Sequence, residues 1–260
     1  MSWALALTGK GGVGKTTLAA MAVRWLGEHA GGPTLAVDAD PNTCLDTLLG
    51  VDVRSTVGRV REDAKQRAQA GPVAGVGKGE WLDLKIQESI VEAEDFDLIA
   101  MGRSEGPGCY CYANNVLRGV LDRLAKHYSS IVIDNEAGLE NLSRRTVQRV
   151  DQMIFVTDPS ATGLATVRRL YDLCGEMEIS VGAMGVVINR ARDAQCIERA
   201  EALFADTEAQ VLGALPEDAD VAEQSVTGRP VYGLSPENPV YKALGAILSG
   251  AGQAGRPSDR

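Results

Sequence analysis

The sequence has 260 residues and a mass of 27.5 kDa, and its 45% hydrophobic and 23% charged residues are typical of a globular protein without extensive disorder. The formal net charge of −9 disfavours nucleic acids and anionic membranes as partners, because an acidic surface repels their phosphate groups. No apolar run approaches the roughly 20 residues of a membrane helix and residues 1–10 lack a signal-peptide pattern, so we expect a cytoplasmic protein with reduced cysteines.

Short apolar runs alternate with longer amphipathic stretches along the chain, which is typical of βαβ units. We therefore predict a single α/β domain over residues 1–248, with a mostly parallel sheet flanked by helices. The predicted strands cover residues 3–8, 34–38, 96–101, 130–134, 152–157, 181–188 and 209–214. The small, polar and glycine-rich residues 249–260 are predicted to form a flexible tail.

The first predicted strand runs directly into a complete P-loop motif, GKGGVGKT, which a helical pattern follows. Glycines allow successive backbone N–H groups to converge on phosphate oxygens at a helix N-terminus. Lys15 is expected to contact the β- and γ-phosphates of ATP, and the Thr16 hydroxyl is placed to bind Mg²⁺. The predicted nucleotide-binding residues in this segment are Gly9, Lys10, Gly11, Gly12, Val13, Gly14, Lys15, Thr16 and Thr17.

The same loop contains a second lysine, Lys10, and KGGVGKTT resembles the signature of the deviant Walker ATPases. That family includes the nitrogenase iron protein, the division-site ATPase MinD, the partition ATPase ParA and the metal-insertion ATPases. The resemblance implies a P-loop ATPase that forms an ATP-dependent homodimer, in which Lys15 binds its own nucleotide and Lys10 reaches that of the other subunit. Taken alone, Lys10 also fits a solvated loop lysine.

Two aspartates end the second predicted strand, at the carboxyl edge where open α/β sheets bind ligands. Asp40 resembles the family's switch I aspartate, which implies a catalytic role in orienting the attacking water. Asp38 fits two roles equally well, as a cap of the following helix or as a member of the Mg²⁺ shell.

Between residues 51 and 95 the strand pattern gives way to a charged helical stretch, a glycine-rich joint and a second amphipathic stretch. We interpret this part as a helical insertion. A solvated cap on the edge of the sheet is the favoured interpretation, and a surface for a partner protein is the alternative.

Cys109 and Cys111 are separated by one residue in the segment GPGCYC. Two thiolates at this spacing can bind one ion such as Ni²⁺ or Zn²⁺, but they supply only half of a four-coordinate shell. A two-fold dimer would bring two such pairs together on its axis. The alternative is a pair of buried cysteines that only pack, which is also our interpretation of Cys174 and Cys196.

The strand SIVID ends at Asp134, where a Walker B aspartate would hold the Mg²⁺ shell, although a plain helix cap is the alternative. Residues Asp134 to Gly138 are interpreted as a switch II segment, in which the Gly138 N–H senses the γ-phosphate. Asn189 lies at the end of a later strand, as does the family's adenine-reading asparagine, although a turn asparagine would fit as well.

The segments KGGVGKTT, GPGCYC and DNEAGLENLSRR closely resemble the CooC family, over residues 1 to about 248. The resemblance implies an ATP-hydrolysing metallochaperone that inserts nickel into carbon monoxide dehydrogenase, with ATP and Mg²⁺ as cofactors and Ni²⁺ or Zn²⁺ at Cys109 and Cys111. Two alternatives remain, a spatial organiser of the MinD or ParA type and an Fe–S electron-transfer ATPase. The acidic charge argues against the organiser, and the closely spaced cysteines argue against the electron-transfer ATPase.

Overall fold

The computed structural model describes residues 2–69, 78–103, 119–120, 123–138, 149–176 and 180–255. Within these ranges the strands are β1 (Trp3–Gly9), β2 (Thr34–Asp38), β3 (Val91–Glu92), β4 (Phe96–Ala100), β5 (Ser130–Asp134), β6 (Arg149–Thr157), β7 (Ser180–Ala191) and β8 (Gln210–Pro216). The helices are α1 (Lys15–His29), α2 (Leu45–Leu49), α3 (Val57–Gln69), α4 (Lys78–Gln87), α5 (Ala161–Gly175), α6 (Gln195–Phe204), α7 (Ala219–Thr227) and α8 (Pro239–Gly255). Short 3₁₀ helices cover Ala125–His127 and Val231–Gly233.

The strands form one sheet in the order β3-β4-β2-β5-β1-β6-β7-β8, in which every pair except β3-β4 is parallel. Strand β1 lies at the centre, and Leu5, Ala6 and Leu7 are all buried because helices cover both faces of the sheet. Residues buried on both faces explain why the strands are apolar runs rather than alternating patterns. The predicted α/β class and mostly parallel sheet are confirmed, as are all seven predicted strands.

The insertion consists of α3, α4 and the short edge strand β3, which pairs antiparallel with β4. Its buried apolar residues, Val57, Val60, Leu82 and Ile86, belong to the same core cluster as Ile99 of β4. Helix α3 also lies close to the backbone beyond β4, because the Gly58 N–H donates to the Met101 carbonyl at 2.8 Å. The insertion is therefore a helical cover that shares the core of the sheet at its β3-β4 edge.

Helix α8 continues to Gly255, so residues 249–255 are helical where we predicted a flexible tail. The reason is an apolar face that extends further than the small residues suggest. Val240, Tyr241, Leu244, Leu248 and Ala251 are buried at helical spacing against α1 and β8. Burial of this face outweighs the low helix propensity of the glycines in the last turns.

A buried arginine joins α1 to the C-terminal part of the chain. Arg24 is 6% exposed, and its Nη1 donates to the carbonyls of Val231 and Leu234 at 3.1 and 2.9 Å. Its guanidinium lies 4.5 Å from the ring centroid of Tyr241, and Nε donates to Glu28 at 2.9 Å. Arg24 thus donates to two carbonyls at the 3₁₀ turn, of which that of Val231 also accepts from the Leu234 N–H at 3.0 Å.

We expect Arg24→Met to lower the free energy of unfolding by about 3 kcal/mol, because the Leu234 carbonyl loses its donor and the Val231 carbonyl and Glu28 each lose a charged one. The measurement is urea unfolding followed by circular dichroism. Arg192→Met is the matched control, since Arg192 makes an exposed ion pair with Glu217 and its loss should leave the midpoint unchanged. Equal midpoints for the two variants would show that the Arg24 contacts do not stabilise the fold.

Candidate functional site

The P-loop connects β1 to α1 through glycines in conformations that other residues rarely adopt. Gly12 and Gly14 have φ angles of 79° and 93°, and Gly14 is the residue before the first turn of α1. A Cβ on Gly9 would lie 2.1 Å from the Val156 carbonyl oxygen, so only glycine fits beside β6. The loop therefore has the backbone freedom that a phosphate-binding nest at a helix N-terminus requires.

Lys15 lies inside this loop, with a side chain that is nearly buried. Its residue exposure is 8%, and Nζ donates to the Lys10 carbonyl at 3.1 Å. Burial lowers the pKa of the Lys15 ammonium, and the charges of Asp134, Asp40 and Glu136 oppose that effect. The ammonium is thus brought together with the predicted carboxylates Asp134 and Asp40.

By contrast, the Lys10 side chain is exposed and makes no hydrogen bond or ion pair within the described ranges.

Asp134 ends β5 and pairs in register with Asp38 of β2, so both carboxylates lie at the carboxyl edge of neighbouring strands. Asp134 is 1% exposed, and burial raises its pKa from 3.8 to about 7, while a hydrogen bond from Thr16 opposes the shift. Its Oδ1 atom is buried and has no hydrogen-bond partner within the described part of the chain. A buried acceptor without a donor, next to the Thr16 hydroxyl, fits a Mg²⁺ shell.

Asp38 accepts three backbone hydrogen bonds. Its Oδ1 accepts from the Asp40 N–H at 3.1 Å, and its Oδ2 accepts from Cys44 and Leu45 at 3.0 and 3.1 Å. Burial raises the Asp38 pKa to about 6, and these N–H donors oppose the shift. Asp38 therefore orders the loop after β2 and the start of α2, which is the cap role, and its predicted part in the Mg²⁺ shell stays a prediction.

Asp40 lies on the loop between β2 and α2, closer to solvent than Asp38. Its Oδ1 accepts from the Asn42 N–H at 2.8 Å, and Thr43, whose φ is 44°, donates its N–H to the Asp40 carbonyl. The Asn42 side chain in turn accepts a hydrogen bond from Arg103. Asp40 thus occupies a tight turn beside Lys15, as a switch I carboxylate requires.

Gly138 contacts the P-loop directly. Its N–H donates to the Gly9 carbonyl at 3.2 Å, and its own carbonyl accepts from the Thr8 hydroxyl at 2.7 Å. The predicted γ-phosphate sensor is therefore hydrogen-bonded to the loop that would hold the phosphate. Gly138 has a φ of 102° and open space where a Cβ would stand.

Asn189 also contacts the P-loop, although the sequence suggested contact with adenine. It lies near the end of β7, is 7% exposed, and donates from Nδ2 to the Val13 carbonyl at 2.8 Å. The next residue, Arg190, has a φ of 57° and donates from Nη1 to the Gly12 carbonyl at 3.2 Å. Sequence reasoning missed Arg190, because no motif marks an arginine that reaches back over 178 positions.

The predicted metal ligands Cys109 and Cys111 lie outside the described residues, so their geometry stays a prediction. Within the described ranges no cluster of three or more His, Cys, Asp or Glu side chains is arranged to hold a metal ion. Cys174 and Cys196 are buried in the core, which confirms their interpretation as packing residues. Cys44 is exposed as a residue, but partial desolvation of its thiol, followed by the charges of nearby aspartates, raises its pKa.

The family model of the CobQ/CobB/MinD/ParA nucleotide binding domain matches residues 5–231. The chain belongs to this family. An uncharacterized ATP-binding protein of Methanocaldococcus jannaschii is 41% identical to it over 244 residues, covering 94% of this chain and 96% of that protein. The carbon monoxide dehydrogenase accessory protein CooC of Rhodospirillum rubrum is 27% identical over 260 residues, covering 95% and 97% of the two chains.

Among solved structures, the septum site-determining protein MinD of Pyrococcus horikoshii, complexed with Mg-ADP, has the same fold as this CobQ/CobB/MinD/ParA-family member. The TM-score is 0.69 at 21% identity, and the superposition covers 99% of this chain and 100% of that one. As a member of the family, the chain is a nucleotide-binding ATPase, which confirms the predicted enzyme class.

None of the helices in the described ranges has the length and apolar composition that a bilayer crossing requires.

The raised pKa of Asp134 predicts how the nucleotide-free ATPase responds to pH. The folded state keeps a proton on Asp134 up to about pH 7, whereas the unfolded carboxyl loses it near 3.8, so the free energy of unfolding should fall across this window. The Asp134→Asn side chain cannot ionise, so the variant should not lose this part of the free energy of unfolding as the pH rises. We expect the nucleotide-free variant to melt about 2–4 °C above the wild type at pH 8 and to match it near pH 4.

The measurement is thermal unfolding in EDTA between pH 4 and 8. Asp38→Asn is the matched control, because it makes the same change of charge but the amide cannot accept all three backbone hydrogen bonds. We expect that variant to melt below the wild type near pH 4, by a margin that shrinks toward pH 8 because the pKa of Asp38 is also raised, to about 6. If Asp134→Asn keeps the pH dependence of the wild type, Asp134 is ionised in the nucleotide-free protein.

Proposed function

We propose that this ATPase inserts nickel into carbon monoxide dehydrogenase, as an ATP-dependent homodimer that holds the metal at Cys109 and Cys111 of both subunits. The observation that carries the proposal is the contact between switch I and the segment that leads to these cysteines. The similarity to the CooC accessory protein over nearly the whole chain supports the choice of client.

That contact begins where β4 leaves the sheet. The Met101 N–H donates to the Asp38 carbonyl at 2.8 Å, and the Arg103 side chain donates to Asn42, whose own N–H is bonded to Asp40. Arg103 lies six positions before Cys109 in the sequence. A change of the switch I loop would therefore act on Met101 and Arg103, which closely precede the thiol pair in the sequence, and nucleotide-controlled metal binding needs such a connection.

The residues of the nucleotide site fit ATP with Mg²⁺. Lys15 and the N–H groups of Gly9 to Thr17 would hold the phosphates, and Thr16 with Asp134 would hold Mg²⁺, which supplies charge neutralisation during phosphoryl transfer. Asp40 would orient the attacking water, and Gly138 would exchange its bond to Gly9 for one to the γ-phosphate. The exposed Lys10 is free to reach a second subunit.

A spatial organiser of the MinD type is the second candidate, because MinD shares the fold. Membrane-bound organisers need a free basic amphipathic helix. Helix α8 differs from such a helix, since it buries its apolar face in the domain and Lys242 is its one basic residue. The acidic net charge of −9 also disfavours DNA as a partner.

An Fe–S electron-transfer ATPase is the third candidate function. Metal analysis of the purified protein would distinguish it from the other two.

The action of Lys10 on the other subunit can be tested by complementation. We expect Lys10→Ala to bind ATP about as well as the wild type but not to dimerise or hydrolyse it, and Lys15→Ala to lose ATP binding. A mixture of the two variants should regain hydrolysis, because the Lys10→Ala subunit binds ATP and receives Lys10 from its partner.

The measurements are ATPase rate and size-exclusion profile with ATP, for each variant and for the mixture. Two inactive variants that stay inactive when mixed, together with a Lys10→Ala variant that dimerises like the wild type, would exclude the role across the interface.

The cargo site predicts one metal ion per dimer. We expect anaerobically purified protein to bind one Ni²⁺ for two chains, because each pair of thiolates supplies half of a four-coordinate shell. Cys109→Ala/Cys111→Ala should lose the ion and still bind ATP. Cys44→Ala is the matched control, since Cys44 is an exposed free thiol in the described part of the chain and should retain the metal stoichiometry.

The client is tested by producing carbon monoxide dehydrogenase with either cysteine variant at limiting nickel and measuring its nickel content. We expect the dehydrogenase to lack nickel with the double variant and to be loaded with Cys44→Ala. A stoichiometry of one ion per chain would contradict the shared metal site. Bound iron with acid-labile sulfide would favour an Fe–S electron-transfer ATPase. Full nickel loading of the dehydrogenase with the double variant would contradict nickel insertion.

A further inference from the structure

The end of β7 is tied to the P-loop by a set of hydrogen bonds that the predicted roles do not explain. The Asn189 amide donates to the Val13 carbonyl at 2.8 Å, and the Arg190 guanidinium donates to the Gly12 carbonyl at 3.2 Å. The two residues are also joined to each other, because the Arg190 N–H donates to Asn189 Oδ1 at 3.0 Å. Two consecutive P-loop carbonyls are thus bound by two consecutive residues of one strand.

This arrangement holds the backbone of Arg190 in an unfavourable conformation. Its φ of 57° lies in the left-handed region, which is unfavourable for a residue with a long side chain. In the described part of the chain, the other non-glycine residue with a positive φ is Thr43, in the switch I loop. Strained backbone that the surroundings hold in place is frequent at functional sites, and both instances here adjoin the nucleotide site.

We infer that Asn189 and Arg190, here called the β7 latch, position the P-loop for phosphate by fixing its peptide planes. In a planar trans peptide, the carbonyl and the following N–H point in opposite directions. The latch holds the carbonyls of Gly12 and Val13 toward β7, so the N–H groups of Val13 and Gly14 are directed away from β7. Because these N–H groups are already fixed, an anion can bind them without a further loss of conformational entropy in the loop.

The packing of Gly14 supports the latch. A Cβ on Gly14 would lie 2.5 Å from Asn189 Nδ2 and 4.0 Å from an Arg190 guanidinium nitrogen. The glycine therefore permits the close approach of Asn189, in addition to its φ of 93°, whereas the Arg190 distance is an ordinary contact. The nearby Arg192 behaves differently, because it forms an exposed ion pair with Glu217 instead of contacting the P-loop.

The latch differs from the adenine-reading role expected of Asn189. One hydrogen of its amide is used by Val13 and its Oδ1 is used by Arg190, and the side chain is almost wholly buried. A residue that reads the base changes the preference between adenine and guanine. A residue that orders the phosphate nest changes the affinity for every ligand with the same phosphates by the same factor.

The test is competition binding to the full-length ATPase with ATP, GTP and inorganic tripolyphosphate, each with Mg²⁺. We expect Asn189→Ala and Arg190→Ala to weaken all three by about tenfold, with the ATP to GTP ratio unchanged. Arg190→Gly should weaken them as much as Arg190→Ala, because it relieves the strained backbone but also lacks the guanidinium. Arg199→Ala, which removes an exposed arginine on α6, is the control and should match the wild type.

Melting temperatures show whether each variant is folded, and the exposed Arg190 keeps the test valid if Asn189→Ala is destabilised. The latch is overturned if Arg190→Ala binds all three ligands like the wild type. It is also overturned if Asn189→Ala alters the ATP to GTP ratio and leaves tripolyphosphate affinity intact. The inference concerns the ATPase site itself, so it holds or fails independently of the nickel client.

Discussion

The carboxyl edge of β2, β5 and β1 imposes the constraint on which the nucleotide site depends, because it buries one ammonium group beside two carboxylates. Asp38 and Asp134 are paired in register, and the nearly buried Lys15 interacts with the charges of Asp134 and Asp40 and donates to the P-loop carbonyl of Lys10. One cation does not neutralise two buried anions, so burial raises the pKa of both carboxyls. The edge therefore has an excess of acidic groups over basic ones, and a divalent cation at Asp134 would offset that excess.

The same edge joins the loops that the proposed function requires to move. The Asp38 carboxylate holds the switch I backbone, its carbonyl accepts from Met101, and the Ala39 N–H donates to the Asp134 carbonyl at 3.0 Å. Switch I, switch II and the start of the segment toward Cys109 thus share hydrogen-bonded neighbours. A displacement of one loop changes the acceptors of the others, which gives the proposed control of the thiol pair a physical basis that does not depend on the insertion.

The sequence predicted the strands, the P-loop, and the strand-end positions of Asp38 and Asp134, because these features are local. Apolar runs are buried on both faces, and a strand followed by GKGGVGKT has few alternative structures. The contacts of Asn189, the strained Arg190 and the helical residues 249–255 were not predicted, since each depends on partners distant in sequence. The glycines and polar residues of 249–260 indicate a flexible tail, whereas the burial of Leu248 and Ala251 against α1 and β8 extends the helix.

The donors needed for phosphate are engaged by the P-loop itself. Lys15 donates to the Lys10 carbonyl, and Gly138 donates to the Gly9 carbonyl. The Gly138 N–H must leave its acceptor before it can donate to a γ-phosphate, whereas the Lys15 ammonium has three donors and can keep its bond to Lys10. The β7 latch meanwhile holds the carbonyls of Gly12 and Val13. The bond that must change on nucleotide binding is thus the one to Gly9, whereas residues 12–13 are bound by the latch. In the proposed mechanism the latched residues anchor the phosphates, so part of the free energy of nucleotide binding would move Gly138 and the proposed switch II segment that begins at Asp134.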